Sequence, residues 1–157
     1  MLEYNSNVWN PTHKYLDKID KIENVQRQFT KRITSISNLS YLERLSILEL
    51  EPLELRRLRF DLIQYYKIMN NLTSINQADY FTHHHSQYSS RKPLSYLIKP
   101  VNSPNYLLIS FFFRSVDCWN SLPPELKQVH ALTIFKRELL TVDLSDSLIG
   151  SARQIVN

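Results

Sequence analysis

At 157 residues, 43% of them hydrophobic and 22% charged, the chain is long enough to bury a core and too apolar for a disordered segment. Its single glycine rules out the glycine-cradled phosphate sites of dinucleotide-binding and P-loop enzymes, which need several glycines at set intervals. A net charge of +4 leans toward an acidic partner, and the one cysteine, Cys118, leaves neither an internal disulfide nor a zinc knuckle to be built.

Met1-Leu2-Glu3-Tyr4 resembles the last turn of a helix, and Val8-Trp9 leads into residues 10–36, which read as one long amphipathic helix. Asn10 suits its N-cap and Pro11 its first position, where a missing N–H costs nothing. Tyr15, Ile19, Ile22, Phe29 and Ile33 recur at helical spacing and are expected to form its buried face. Lys14, Lys18 and Lys21 fall within an arc of roughly 60° on one flank, with Asp17, Asp20 and Glu23 on the other. Trp9, at the junction, is expected to pack inside.

Ser40-Tyr41-Leu42-Glu43 is a capping-box pattern, which predicts a short helix from Tyr41 to about Leu48 with Leu42, Leu45 and Leu48 inward. Glu51-Pro52 opens a third helix, in which Leu55, Leu58, Leu62, Tyr65, Tyr66 and Met69 line one side, and Asn70-Asn71 stops it. Arg56, Arg57 and Arg59 crowd its start, the end of the helix dipole that disfavours cations, a placement that fits either an acidic partner or a solvated charged turn.

From 72 to about 104 the texture turns to Thr, Ser, Asn, His and Pro, a long loop with room for one or two short strands. His83-His84-His85 lacks the spaced Cys or carboxylate partners of a metal site and reads as solvated. Tyr80, Phe81, Tyr88 and Tyr96 alternate with His83, Arg91 and Lys92, the mixture of rings and cations found in single-strand binders and in ordinary loops alike. Near Leu107 helix resumes, with Phe112, Phe113, Val116 and Trp119 on its buried face, and Cys118 beside them as a small core residue. Leu122-Pro123-Pro124 breaks it, Pro124 can start a short turn, and Thr133 caps a last helix bearing Phe135, Leu139 and Leu140. The expected fold is therefore mainly α, an irregular domain of about five helices over 1–142, followed by a loosely ordered tail over 143–157.

No catalytic constellation stands out. The paired carboxylates that hold two magnesium ions in a polymerase are missing, and Asp143 and Asp146 lie close together only in the expected tail. No apolar run approaches the roughly 20 residues that span a bilayer, and the first residues hold no signal-peptide core. The expectation is an intracellular chain, nuclear or cytoplasmic, with no membrane partner.

Several blocks resemble the region that follows the polymerase domain in reverse transcriptases of non-LTR retrotransposons, particularly jockey-like elements. They are Leu2-Glu3-Tyr4-Asn5-Ser6-Asn7-Val8-Trp9-Asn10-Pro11, Ile19-Asp20-Lys21-Ile22-Glu23-Asn24-Val25-Gln26-Arg27-Gln28-Phe29-Thr30-Lys31-Arg32-Ile33 and Leu39-Ser40-Tyr41-Leu42-Glu43-Arg44-Leu45. Leu53-Glu54-Leu55-Arg56-Arg57-Leu58-Arg59-Phe60-Asp61-Leu62 and Phe113-Arg114-Ser115-Val116-Asp117-Cys118-Trp119-Asn120-Ser121-Leu122-Pro123 continue the likeness, which closes at Phe135-Lys136.

The resemblance implies a C-terminal, thumb and post-thumb fragment of an RNA-directed DNA polymerase, without the catalytic palm and so not an enzyme by itself. It implies no cofactor in this chain, since magnesium in the parent polymerase is bound outside this segment. Partners would be RNA or an RNA–DNA duplex and the missing polymerase domains. Lys14, Lys18, Lys21 and Arg32 become the candidate phosphate contacts, with Arg56 and Arg59 beside them. The alternative is a non-enzymatic helical interaction module without nucleic-acid binding.

Overall fold

The computed structural model describes residues 3–11, 15–80, 82–83, 96–98 and 111–153. It is mainly α and divides into two compact units, Met1–Phe60 with Asp143–Asn157, and Asp61–Val142.

The first unit holds α1 (Ser6–Trp9), α2 (Leu16–Lys31), α3 (Tyr41–Ile47) and the first half of α4 (Leu53–Met69). The long opening helix is shorter than its pattern suggests. Asn10 closes α1, its N–H returning to the Ser6 carbonyl, and α2 begins only at Leu16. At its far end the Arg32 and Ile33 N–H groups turn back to the Phe29 and Thr30 carbonyls, a tightening that ends the helix ahead of the turn at Thr34–Ile36.

The buried line of α2 also differs from the apolar stripe. Ile19, Glu23, Gln26 and Thr30, spaced i, i+4, i+7 and i+11, are the residues that go under, whereas Phe29 and Tyr15 stay exposed. Hydrogen bonding decides this. The Glu23 carboxylate accepts the Leu53 and Glu54 N–H groups at 3.3 and 3.2 Å, serving as a cap for α4 delivered from another helix. Tyr41 donates its hydroxyl to the same carboxylate at 2.6 Å, and burial together with that bond pushes the phenol pKa up, keeping its proton in place. Gln26 donates to the Glu51 carbonyl at 2.9 Å, and the buried Arg44 donates to the Thr30 hydroxyl at 3.1 Å.

The capping box of α3 forms as expected, Ser40 and Glu43 each accepting the other's backbone N–H, and the Ser40 bonds hold the Glu43 carboxyl below its ordinary range. Of the three leucines expected inward only Leu45 is fully buried; Leu42 is exposed, and the buried polar residue of the helix is Arg44. Trp9 is half-exposed, its indole N–H donating to the Tyr4 carbonyl at 2.7 Å.

Residues 143–153 do not form a loosely ordered tail. Leu144, Leu148 and Ala152 are buried in the first unit. Glu54 accepts the Ile149 and Gly150 N–H groups at 2.7 and 3.0 Å, and Asp20 accepts the Ser151 N–H at 2.8 Å. A Cβ on Gly150 would come within 2.7 Å of both Glu54 Oε2 and Ile19 Cγ2, so the chain's single glycine stands where its backbone meets two side chains closely.

In the second unit the later half of α4 is joined by α5 (Phe111–Arg114), α6 (Val116–Ser121), α7 (Pro124–Lys127) and α8 (Leu132–Leu139). Its core is aromatic. Tyr66 stacks on Phe135 at 4.2 Å between ring centres, and Tyr65 meets Trp119 at 5.6 Å and Phe111 edge-on at 5.7 Å. Each tyrosine hydroxyl also donates to a carbonyl, Tyr65 to Phe112 and Tyr66 to Val129. Asp61 accepts two hydrogen bonds from Arg114, at 2.7 and 2.9 Å, and one from Ser115. Cys118 is buried beside Trp119.

The long loop contributes two strands of two residues, β1 (Thr82–His83) and β2 (Leu97–Ile98), paired antiparallel. The Asn120 side-chain amide extends that pairing, accepting the Leu97 N–H and donating to the Leu97 carbonyl at 3.0 and 2.9 Å. Helix α8 starts one residue before its expected cap, Thr133, and Leu140 beyond it is exposed. Phe81, His84, His85, Tyr88, Arg91, Lys92 and Leu107, for which loop or helix roles were expected, lie outside the described residues.

Candidate nucleic-acid interface

The outward face of α2 is the one open to a ligand, because its inward face is committed to hydrogen bonds with α3 and α4. At 3.6 residues per turn Lys18, Lys21, Val25, Gln28, Phe29 and Arg32 share an arc of about 100° on that outer face. Lys18, Lys21 and Arg32 are all exposed. Lys14 lies outside the described residues.

Lys18 Nζ stands 4.4 Å above the centre of the Tyr15 ring, which anchors one end of the row. Lys21 Nζ lies 3.3 Å from Asp17 Oδ2, with both side chains well exposed. An exposed pair one turn apart is worth only about 0.3–0.5 kcal/mol, so a phosphate can displace Asp17 at little cost. The other two acids of the helix face inward or toward backbone donors, Glu23 to α4 and Asp20 to Ser151. Both of those acids point away from the outer face, which leaves this edge with a cationic balance.

Arg56 and Arg59 have a different role from the one expected. Arg59 is buried and paired with Glu51, and Arg56 pairs with Glu3 and donates to Gln26 at 3.4 Å. Arg57, fully buried, donates to the Leu53 carbonyl and lies 5.9 Å from the Trp9 ring. Cations at the start of a helix need anions to offset the dipole, and here carboxylates of the same unit supply them. The arginines of α4 are therefore engaged within their own unit, Arg57 and Arg59 buried and Arg56 partly exposed beside Glu3.

Two residues that the sequence placed or left elsewhere join the outer face. Phe29, assigned by periodicity to the core, is 67% exposed, and Val25 is 50% exposed. With Asn24, Gln28 and Arg32 they line an open depression of about 320 Å³, in which Gln28 donates to Asn24 at 3.4 Å. The signal that could have found them is the polar run Glu23, Gln26 and Thr30, which is itself a helical face and competes with the apolar one. Among the described residues, no group of three His, Cys, Asp or Glu side chains could hold a metal ion, and no helix is long and apolar enough to cross a membrane. The chain matches no protein-family model, and it matches no curated protein and no solved structure.

Proposed function

We propose that this chain serves as an auxiliary nucleic-acid-binding segment of a retrotransposon-type RNA-directed DNA polymerase, lying C-terminal to the palm and gripping RNA or an RNA–DNA duplex by its phosphates. The observation that carries the reading is the exposed basic edge of α2, Lys18, Lys21 and Arg32, left by acids that bond elsewhere. The ordered blocks that resemble the region after such a polymerase domain give that edge its context. In this reading the chain performs no polymerisation itself and works beside polymerase domains inside the cell. Its cations would set the position of the strand without reading bases.

A filter-binding titration tests this. With three cations engaged, log K should fall against log salt with a slope of about −2 to −3, and replacing Lys18, Lys21 and Arg32 by glutamine should flatten that slope. No retention at low salt, or retention indifferent to salt, overturns the proposal.

A second reading, a helical protein-interaction module, is favoured by the exposure of Phe29 and Val25. It expects self-association visible by light scattering, unchanged when the lysines become glutamine.

A further inference from the structure

The apolar centre of the same face narrows the ligand. We infer that the outer face of α2 takes an unpaired strand, with the Phe29 ring stacking on a base while Lys18, Lys21 and Arg32 meet the flanking phosphates; this rests on the nucleic-acid reading above. A duplex turns phosphates and sugars outward and keeps its base faces stacked inside, so an exposed phenyl ring gains nothing from it. An unpaired strand offers both surfaces at once: ring faces for Phe29 and Val25, and charges for the cations on either side.

The dimensions suit such a strand. From Lys18 to Arg32 the helix rises about 21 Å at 1.5 Å per residue, enough for a short run of nucleotides. Phe29 lies one turn from Arg32, so a base stacked on the ring keeps its phosphate within reach of the guanidinium. Gln28 and Asn24, on the rim of the depression, supply amides to base edges. A second copy of the chain fits this face poorly, because a two-fold contact would set Lys18, Lys21 and Arg32 against the same three cations.

Fluorescence anisotropy on the full chain at low salt, with a labelled oligouridylate and an RNA hairpin stem of similar length, distinguishes the possibilities. The oligouridylate should bind about tenfold more tightly than the stem. Phe29→Ala should weaken it by about fivefold to a hundredfold while leaving the weaker stem binding unchanged. Phe29→Trp should retain the affinity, and its indole emission should be quenched by oligouridylate. Because Phe29 is exposed, both variants should keep the parent's circular dichroism, which separates loss of stacking from loss of fold.

Equal affinity for strand and stem, or an unchanged affinity in Phe29→Ala, overturns the inference while leaving phosphate binding standing. No binding of either probe sinks both. Self-association in sedimentation that Phe29→Ala abolishes, with oligouridylate binding untouched, assigns the face to a second copy and overturns the inference as well.

Discussion

The two units solve the burial problem with different chemistry. In Asp61–Val142 the described interior is packed rings, Tyr65, Tyr66, Phe111, Trp119 and Phe135, with a buried ion pair between Asp61 and Arg114. In Met1–Phe60 with Asp143–Asn157, Ile19, Leu45, Leu53 and Leu148 share the interior with Glu23, Gln26, Thr30, Arg44, Glu54 and Arg57. A ring core is held by close packing, whereas a polar interior depends on each donor keeping its acceptor. The contrast teaches that the first unit gains directional bonds at the cost of leaving Phe29 and Val25 outside.

The largest difference should come from the ring core. Phe135→Ala should cost about 3–5 kcal/mol in urea unfolding, monitored by Trp119 fluorescence in a Trp9→Phe background. A cost under about 1 kcal/mol would show that the second unit does not depend on its stack. Glu23→Gln keeps the size of the side chain but exchanges an acceptor oxygen for a donor facing the Leu53 and Glu54 amides and the Tyr41 hydroxyl. It should cost about 2–3 kcal/mol, and faster hydrogen exchange at the first amides of α4 should accompany the loss.

Gly150→Ala tests the docking of the C-terminal segment. The new methyl must displace both Glu54 Oε2 and Ile19 Cγ2, so about 1–2 kcal/mol should be lost and the Ile149 to Ser151 amides should exchange faster. Glu54 also sharpens the contrast by pH. Burial raises its pKa, so the native state holds its proton more tightly, and its contribution is greatest below the unfolded-state pKa and is lost as pH rises through the folded one. The stability of the parent relative to Glu54→Gln should therefore decline between about pH 4 and the raised pKa; a difference that grows with pH would mean that the Ile149 and Gly150 bonds outweigh burial.

The smallest effect compares two helix ends of one design. After α3 the Leu50 N–H returns to the Leu45 carbonyl with Glu49 at φ 52°, and after α4 the Leu72 N–H returns to the Lys67 carbonyl with Asn71 at φ 54°. Glutamate tolerates the left-handed region less well than asparagine. Glu49→Gly should thus stabilise by about 1 kcal/mol, more than Asn71→Gly does, and equal gains would remove the distinction.

Much of the second unit could be read directly from the sequence. Val116, Trp119, Phe135 and Leu139 were expected in the core and are there, and Asn70-Asn71 ends α4, because large apolar side chains at helical spacing have only one favourable place to go; Phe112 and Phe113, expected beside them, are only half-buried, and Phe111 takes the inner position instead. The capping box of α3 was equally legible, since its partners lie within one turn. Of the candidate interface, the basic edge of α2 was legible through Lys18, Lys21 and Arg32, whose placement on one side needs only the 3.6-residue period. Tertiary structure alone turned Glu23, Gln26 and Thr30 inward, paired Arg56 with Glu3 and Arg59 with Glu51, docked 144–152, and left Phe29 facing out. The physical reason is reach. Periodicity reports what one helix presents, but a buried hydrogen bond depends on a partner far along the chain, as Glu23 does on the start of α4 and Glu54 does on Gly150.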